Sequence, residues 1–245
     1  MTTETAGCDA VLFDVDGTLL DTVPLIVETY HAIFQQYLGH SGDDKAILAS
    51  IGLPLDTFLH EVSPQHAAAM KTSYLDYNHT RLDTHVAVFR GILPMLADLQ
   101  ARGIPLGVVT SKRHDSATRS LAQFGLLPFF QTVITKDSTS RHKPFADPLF
   151  AAMKELGLHD SSRVVYVGDS LHDHYSARAA GCRSVLVSWT EMPVEDLLAA
   201  GPDLWLERPD LLAGWIDQGC LSQKRRMPEQ ENAKPEQKHG KPEDV

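Results

Sequence analysis

Short apolar runs of strand length alternate with amphipathic helical patterns along most of this chain of 245 residues. Two of the helical patterns end on a glycine, Gly157 and Gly181, just before an apolar run begins, and glycine after the last turn is a common helix stop. Strands that alternate with helices in this way form a parallel sheet with helices on both faces. We therefore predict an α/β fold built on a doubly wound parallel sheet. The predicted strands cover residues 9–14, 104–109, 132–135, 163–167 and 184–188.

The segment between the first two predicted strands breaks this rhythm. It contains several helix-like stretches and no convincing strand, and it is far longer than the ~4–6 residues of an ordinary connection. We predict a helical domain at 22–89, inserted into a core domain made of residues 1–21 and 90–221. The last residues, 222–245, are rich in Lys, Glu, Gln and Pro and contain no aromatic residue. Such a composition predicts a disordered charged tail.

Charge and composition limit the partners and the location of the protein. The formal net charge of −10 argues against a nucleic-acid partner, which requires a basic face. No apolar run approaches the roughly 20 residues of a membrane-spanning helix, so no membrane partner is expected. The N-terminus lacks the features of a secretory signal, and the three cysteines show no paired spacing. We therefore predict a cytoplasmic protein with reduced thiols, either a monomer or a homodimer.

Acids, hydroxyls and lysines follow the predicted strands at the point where each strand ends. Asp14 ends the first strand and Asp16 follows two residues later, so both acids are expected on one face of that strand. Parallel strands bring their carboxyl ends to one edge of the sheet, where the residues that follow the other strands should join the two acids. These residues are Thr110, Ser111 and Lys112 after the second strand, Lys143 after the third, and Asp169 and Asp173 after the fourth.

This set of side chains suits phosphoryl transfer. Carboxylates held close together repel each other, and Mg²⁺, which prefers oxygen ligands and often completes its shell with a phosphate, would relieve that repulsion. One aspartate can attack phosphorus as a nucleophile, and a second can carry a proton. A lysine and nearby hydroxyls offset the charge of the phosphoryl group. Thr110 and Ser111 are expected to bind phosphate, and at least one of them to cap the following helix as well.

Four segments in order, FDVDGTLLDT, VVTSK, RHKPFADP and VGDSLHD, resemble the motifs of the haloacid dehalogenase-like phosphohydrolase superfamily. The resemblance spans residues 9–190 and includes the helical insertion, which is similar to the small C1-type cap of that superfamily. It implies that Asp14 is the nucleophile and Asp16 the general acid/base. It also implies that Thr110 and Lys143 hold the phosphoryl group. The implied metal site consists of Asp14, Asp169 and the backbone carbonyl of Asp16, with Asp173 as its support.

Within this superfamily the chain most resembles the phosphoglycolate phosphatases and the related inorganic pyrophosphatases. The stretches SIGLPL, FRGILPML, GVVTSKRHD and VSWT carry this resemblance. It implies an Mg²⁺-dependent phosphatase of small phosphorylated metabolites, with phosphoglycolate as the first substrate and pyrophosphate as the alternative. A β-phosphoglucomutase-like transferase and a non-catalytic phosphate-sensing protein are further alternatives. Asp16 argues against dehalogenation, because the dehalogenases of the superfamily lack this second aspartate.

The remaining predictions concern residues outside the four motifs or at their margins. Gly52 and Leu53 lie in a predicted tight turn of the cap whose amides can meet an anion, so we expect them to contact the substrate. Cap aromatics at helical spacing are expected in the core of the cap. Histidines in the motif loops are expected at the surface or at the rim of the site, and Cys182 in the interior. The aromatics are Tyr30, Phe34 and Tyr37, and the histidines are His114, His142, His172 and His174.

Overall fold

A computed structural model describes residues 7–220 of the protein, so the predicted tail at 222–245 lies outside the described residues. The described chain forms an α/β fold around a parallel sheet with the strand order β3-β2-β1-β4-β5-β6, which confirms the predicted fold class. The strands are β1 (Ala10–Phe13), β2 (Leu106–Val109), β3 (Thr132–Ile134), β4 (Val164–Gly168), β5 (Arg183–Val187) and β6 (Leu204–Leu206).

The strand β6 is absent from the predicted strands. It pairs in parallel with β5, with Trp205 opposite Leu186. It is only three residues long, and a run this short carries too little alternation to be distinguished from a loop by sequence pattern. Its position at the edge of the sheet therefore comes from tertiary pairing.

The order of the strands places a crevice at the end of β1. The chain continues from β1 to β2 and β3 on one side of the sheet, and β4, β5 and β6 lie on the other side. β1 thus pairs with both β2 and β4. The connections that leave β1 and its two neighbours diverge at their carboxyl ends, and such a switch point is where open α/β sheets bind ligands.

Helices cover both faces of the sheet because alternate side chains of each strand point to opposite sides. Val11 and Phe13 of β1 belong to one buried cluster, which includes Leu96, whereas Leu12 belongs to a second cluster with Leu149. No helix within residues 7–220 is long and apolar enough to cross a membrane. The helices that follow the inserted segment and surround the sheet are α5 (Ile92–Ala101), α6 (His114–Gln123), α7 (Asp147–Glu155), α8 (Leu171–Ala180), α9 (Val194–Ala199) and α10 (Leu212–Asp217).

The described chain between β1 and α5 is helical, as predicted for this segment. Its two connections to the sheet run side by side, because the backbone amide of Asp21 donates to the carbonyl of Ala87 at 2.9 Å and Leu20 forms an isolated bridge with Val88. The proposed boundaries of the inserted domain, 22–89, stay a prediction. The four helices are α1 (Val23–Leu38), α2 (Asp44–Ser50), α3 (Leu55–Val62) and α4 (Ala67–His85).

These four helices share a buried cluster, which also includes Leu186 of β5 and Leu197 of α9. Tyr30 and Phe34 of α1 are buried in it, with ring centroids 5.5 Å apart, as expected for cap aromatics at helical spacing. Tyr37 is half-buried, and its hydroxyl lies 2.9 Å from that of Ser73. The cluster therefore packs the inserted helices against one another and also against β5 and α9.

Candidate active site

Asp14 is held at the switch point between β1 and β4. It follows the last residue of β1, and its backbone amide donates to the carbonyl of Val167 at 2.9 Å. One carboxylate oxygen, Oδ2, lies 3.1 Å from Nζ of Lys143. The other oxygen, Oδ1, is buried and has no hydrogen-bond partner among the described residues. A buried oxygen without a partner is costly, so Oδ1 of Asp14 is an unsatisfied acceptor that a ligand could engage.

Asp169 lies beside Asp14 at the end of β4. Its Oδ2 accepts a hydrogen bond from the hydroxyl of Thr190 at 3.2 Å, and its side chain is buried. Gly17 packs against this carboxylate with a φ of +73°, in the left-handed region that glycine adopts most easily. The glycine of the first motif therefore makes room for the aspartate of the fourth.

The carboxylate of Asp173 is fully engaged by protein groups. Oδ1 accepts from Nζ of Lys143 at 2.7 Å and from the hydroxyl of Tyr166 at 2.9 Å. Oδ2 accepts from the backbone amide and the hydroxyl of Ser170, at 3.1 and 2.6 Å, at the start of α8. With both oxygens used in this way, Asp173 is suited to positioning Lys143 rather than to binding a ligand directly.

The buried charges at this edge do not balance. Asp14, Asp169 and Asp173 can bring one oxygen each within 4.8 Å of one another, and Lys143 is the buried ammonium that contacts two of them. If all four groups are ionised, two negative charges are in excess. Such crowding of like charges in a low-dielectric site is relieved either by protonation of a carboxylate or by a compensating cation.

The pKa values of these groups follow from burial and from their contacts. Burial raises the pKa of Asp14 to about 7, although Lys143 opposes the shift. Burial also raises the pKa of Asp169, and the charges of Asp173 and Asp14 add to that effect. Burial acts in the same direction on Asp173, but the contacts with Lys143 prevail and lower its pKa. For Lys143, burial acts to lower the pKa, and Asp14 and Asp173 outweigh it and raise the value.

The donor set fits a hard divalent cation. The unpartnered Oδ1 of Asp14 belongs to a cluster of carboxylates that carries excess negative charge. All of these donors are oxygens, which Mg²⁺ prefers over nitrogen or sulfur. Asp14 and Asp169 have the oxygens to hold such an ion, whereas those of Asp173 are already engaged.

Asp16 lies in a different environment from Asp14. The expectation that both acids leave one face of a strand is wrong, because β1 ends at Phe13 and both acids follow it. Asp16 accepts hydrogen bonds from Nζ of Lys112 at 2.6 and 2.7 Å and from the hydroxyl of Thr22 at 2.6 Å. Asp14 is therefore paired with Lys143 and Asp16 with Lys112. Asp16 does not belong to the buried cluster of Asp14, Asp169 and Asp173.

Thr110 and Ser111 lie at the end of β2, as the sequence predicts, but neither caps a helix. α6 begins only at His114, whose backbone amide donates to Oδ2 of Asp137 at 2.9 Å. The hydroxyl of Ser111 donates to the carbonyl of Gly52 at 2.6 Å, which joins the sheet to the inserted helices. The capping prediction is wrong because three more residues follow Thr110 before α6 begins, and Arg113 takes the N-cap position.

A cavity of about 100 Å³ lies between the sheet edge and the inserted helices. Four of the predicted site residues of the core line it, together with the predicted cap residues Gly52 and Leu53; Lys143, Asp169 and Asp173 are buried behind its wall. Several polar lining residues were missed from the sequence. Those on α4 recur at helical spacing, a signal that would have found them. The predicted core residues on the wall are Asp14, Asp16, Thr110 and Ser111, with Lys112 of the same strand end beside them, and the missed ones include Asp56, Lys71, Asn78, His79 and Lys136.

The histidines of the motif loops differ in how far they are buried. His114 is exposed, and His142 and His172 are half-buried, in line with surface or rim positions. The prediction for His174 is wrong, since only 2% of it is exposed. Its Nδ1 lies 2.9 Å from the hydroxyl of Ser184, which gives the ring a polar partner inside the protein. Cys182 is buried, as predicted.

The fold and the arrangement of side chains together define a phosphatase-type hydrolase. The profile of the family described as haloacid dehalogenase-like hydrolases matches residues 11–187. The chain belongs to this family, as its four motifs predict.

Known proteins of the same family are similar over most of the chain. Pyrophosphatase PpaX of Bacillus pumilus is 35% identical over 206 residues, which cover 84% of this chain and 95% of that protein. Pyrophosphatase PpaX of Bacillus velezensis is 34% identical over 204 residues, 83% of this chain and 94% of that protein. The crystal structure of a predicted phosphoglycolate phosphatase from Haemophilus somnus superposes with a TM-score of 0.75 at 20% identity, over 84% of this chain and 97% of that one. This last similarity shows the shared fold.

Proposed function

We propose that this phosphatase depends on Mg²⁺ and acts through an aspartyl-phosphate on Asp14. The observation that carries the proposal is the environment of Asp14, with one oxygen on Lys143 and the other buried without a partner. A carboxylate oxygen of Asp14 attacks phosphorus, and the bond from phosphorus to the leaving group breaks. Water then attacks the same phosphorus, which releases phosphate and restores Asp14.

The proton transfers are assigned to Asp16. It gives a proton to the departing oxygen in the first half of the reaction and takes one from the attacking water in the second. Its separate hydrogen bonds, from Lys112 and Thr22, support a role different from that of Asp14. Its position on the wall of the same cavity supports access to the leaving group.

The remaining site residues are assigned to charge neutralisation. Thr110, Ser111 and Lys143 would donate to the phosphoryl oxygens. Mg²⁺, held by the carboxylates of Asp14 and Asp169 and by the backbone carbonyl of Asp16, would neutralise negative charge around the phosphoryl group. The excess negative charge of the buried cluster supports this assignment. Asp173 would act through Lys143, since it engages Nζ at 2.7 Å.

For the substrate we put inorganic pyrophosphate first and phosphoglycolate second, which reverses the order suggested by the sequence motifs. Relatives named pyrophosphatase are 34–35% identical over more than four-fifths of the chain, whereas the phosphoglycolate phosphatase is related at 20% identity. The cavity volume of about 100 Å³ favours a small substrate, and the lysines that line the cavity favour a negatively charged one.

We further propose that residues 22–89 act as a cap on a core made of residues 1–21 and 90–221. The hydrogen bond from Ser111 to Gly52 supports direct contact of the cap with the phosphate-binding loop. Closure of such a cap keeps water away while the first step occurs and readmits it for the second. The free thiols Cys182 and Cys220 support a reducing, cytoplasmic location.

Phosphate release from pyrophosphate, phosphoglycolate and acetyl phosphate, measured side by side with Mg²⁺ and then with a chelator, tests this function. We expect the highest kcat/KM for pyrophosphate and loss of all activity on chelation. A higher value for phosphoglycolate would reverse the order of the substrates. Absence of release from all three compounds in Mg²⁺ would contradict the proposed function. The appearance of glucose 6-phosphate from β-glucose 1-phosphate would instead support a transferase.

A further inference from the structure

Three charged side chains from three different elements meet at the wall of the cavity. Asp56, in the first turn of α3, lies 2.6 Å from Nζ of Lys71 on α4. The other oxygen of Asp56 accepts a hydrogen bond from Lys136, which follows β3 in a short 3₁₀ turn. The cluster therefore joins the inserted helices to the sheet, and all three residues line the cavity that also contains Asp14 and Asp16.

The cluster carries more positive than negative charge. Two ammonium groups share one carboxylate, which leaves one positive charge within the cluster. Burial acts to raise the pKa of Asp56, but hydrogen bonds from Lys136 and Lys71 prevail and lower it. Asp56 is thus an anion held between two cations. The lysine side chains are mostly shielded from solvent, at 26% exposure for Lys71 and 18% for Lys136.

The other two lysines of the site are engaged elsewhere. Lys112 binds both oxygens of Asp16, and Lys143 lies between Asp14 and Asp173. A simple contact between cap and core needs only one lysine for one carboxylate, and an exposed pair of that kind contributes about 0–1 kcal/mol. Asp56 has a second lysine in the wall of a cavity of substrate size. We attribute this extra positive charge to the binding of an anionic ligand rather than to stability.

We propose that Lys71 and Lys136 form a second anion-binding site for the substrate, in which the carboxylate of Asp56 is the internal anion that a substrate group displaces. This inference rests on the proposed function, because it takes the phosphoryl group that reacts to be bound at Asp14 and Lys143. The site selects compounds with two anionic groups, such as pyrophosphate, over phosphate compounds with only one. Since one lysine lies on the cap and the other on the core, an anion bound by both also holds the cap closed.

Kinetic specificity tests this proposal with three matched substitutions. Lys71→Met and Lys136→Met remove the two cations, and Lys45→Met removes an exposed lysine of α2 that does not line the cavity. The measured quantity is kcat/KM for pyrophosphate divided by kcat/KM for acetyl phosphate, which has one anionic group. We expect this ratio to fall about 10-fold or more in the first two variants and to change less than about 2-fold in Lys45→Met. An unchanged ratio in both Lys71→Met and Lys136→Met would overturn the proposal.

Binding provides a second test that requires no turnover. In an Asp14→Asn background, the Kd of pyrophosphate with Mg²⁺ is measured by calorimetry. We expect it to weaken about 10-fold when Lys71→Met is added, to stay the same with Lys45→Met, and to tighten with Asp56→Asn because the internal anion is removed. Equal affinities with and without Lys71, or weaker binding in Asp56→Asn, would overturn the second site. An inactive wild-type enzyme that still shows these affinities would overturn the proposed function alone. Lys71→Gln and Lys136→Gln replace any methionine variant that does not fold.

Discussion

Gly17 packs against the carboxylate of Asp169, so closely that a Cβ atom at position 17 would overlap with Oδ2. The two residues are far apart in the chain and belong to the first and the last of the four motifs. Their contact links the turn after the proposed nucleophile to the proposed metal ligand. A side chain at position 17 must therefore displace Asp169, with direct consequences for the proposed metal site.

This contact makes Gly17→Ala a specific test of the metal site. We expect at least a 10-fold loss of Mg²⁺ affinity, because Asp169 has to move, and a loss of stability beyond the about 1–2 kcal/mol that a left-handed alanine costs. Gly39→Ala is the matched control, since Gly39 has a φ of +77° and no atom within 4 Å of its Cβ position. Thermal unfolding of both variants at increasing Mg²⁺ measures the two effects. Equal Mg²⁺ affinities in the two variants would contradict the assignment.

Removal of Asp169 should separate metal binding from folding. In the wild type, Mg²⁺ at 100 times its Kd should stabilise the fold by about 2.7 kcal/mol. Asp169→Asn should lose this gain, yet without metal it should be at least as stable as the wild type, because one of the crowded buried carboxylates becomes neutral. Asp76→Asn, an exposed change on α4, serves as the control in the same melting experiment. A full Mg²⁺ gain in Asp169→Asn would rule out this residue as a ligand.

Asp14→Asn should abolish turnover and leave the fold intact. The amide keeps the size of the carboxylate but cannot act as the nucleophile, so we expect kcat to fall by at least about 10³-fold. Phosphate release from pyrophosphate measures the loss, and circular dichroism monitors the fold. Mass spectrometry must first exclude deamidation back to aspartate. Full activity of an Asp14→Asn preparation that passes this check would contradict the mechanism.

The link between Asp173 and Lys143 should matter more for stability than the hydrogen bond from Tyr166. Asp173→Asn leaves a buried ammonium with a weaker partner and should cost about 3–5 kcal/mol. Tyr166→Phe removes a hydroxyl that contacts the same carboxylate and the carbonyl of Val109; because this hydroxyl has one proton to donate, the loss should cost about 0.5–1.5 kcal/mol. Urea unfolding of both variants measures the difference. Similar costs would mean that the ion pair contributes little beyond an ordinary hydrogen bond.

The amino-acid sequence by itself determined the type of fold and the edge of the sheet at which the candidate site lies. Alternating apolar runs and helical patterns specify the parallel sheet, since the period of the side chains depends on local backbone geometry. In a parallel sheet, residues that follow the strands must gather at one edge. The order of the residues along the chain was therefore enough to place Asp14, Thr110, Lys143 and Asp169 together.

The tertiary structure alone decided which charges pair and what surrounds them. Asp16 binds Lys112, 96 residues away, Asp56 joins Lys71 to Lys136 across the cavity wall, and the buried His174 finds the hydroxyl of Ser184. The short strand β6 likewise forms only because β5 is beside it. Such contacts depend on how the inserted helices and the sheet pack against each other, and the periodicity of the sequence carries no information about that packing.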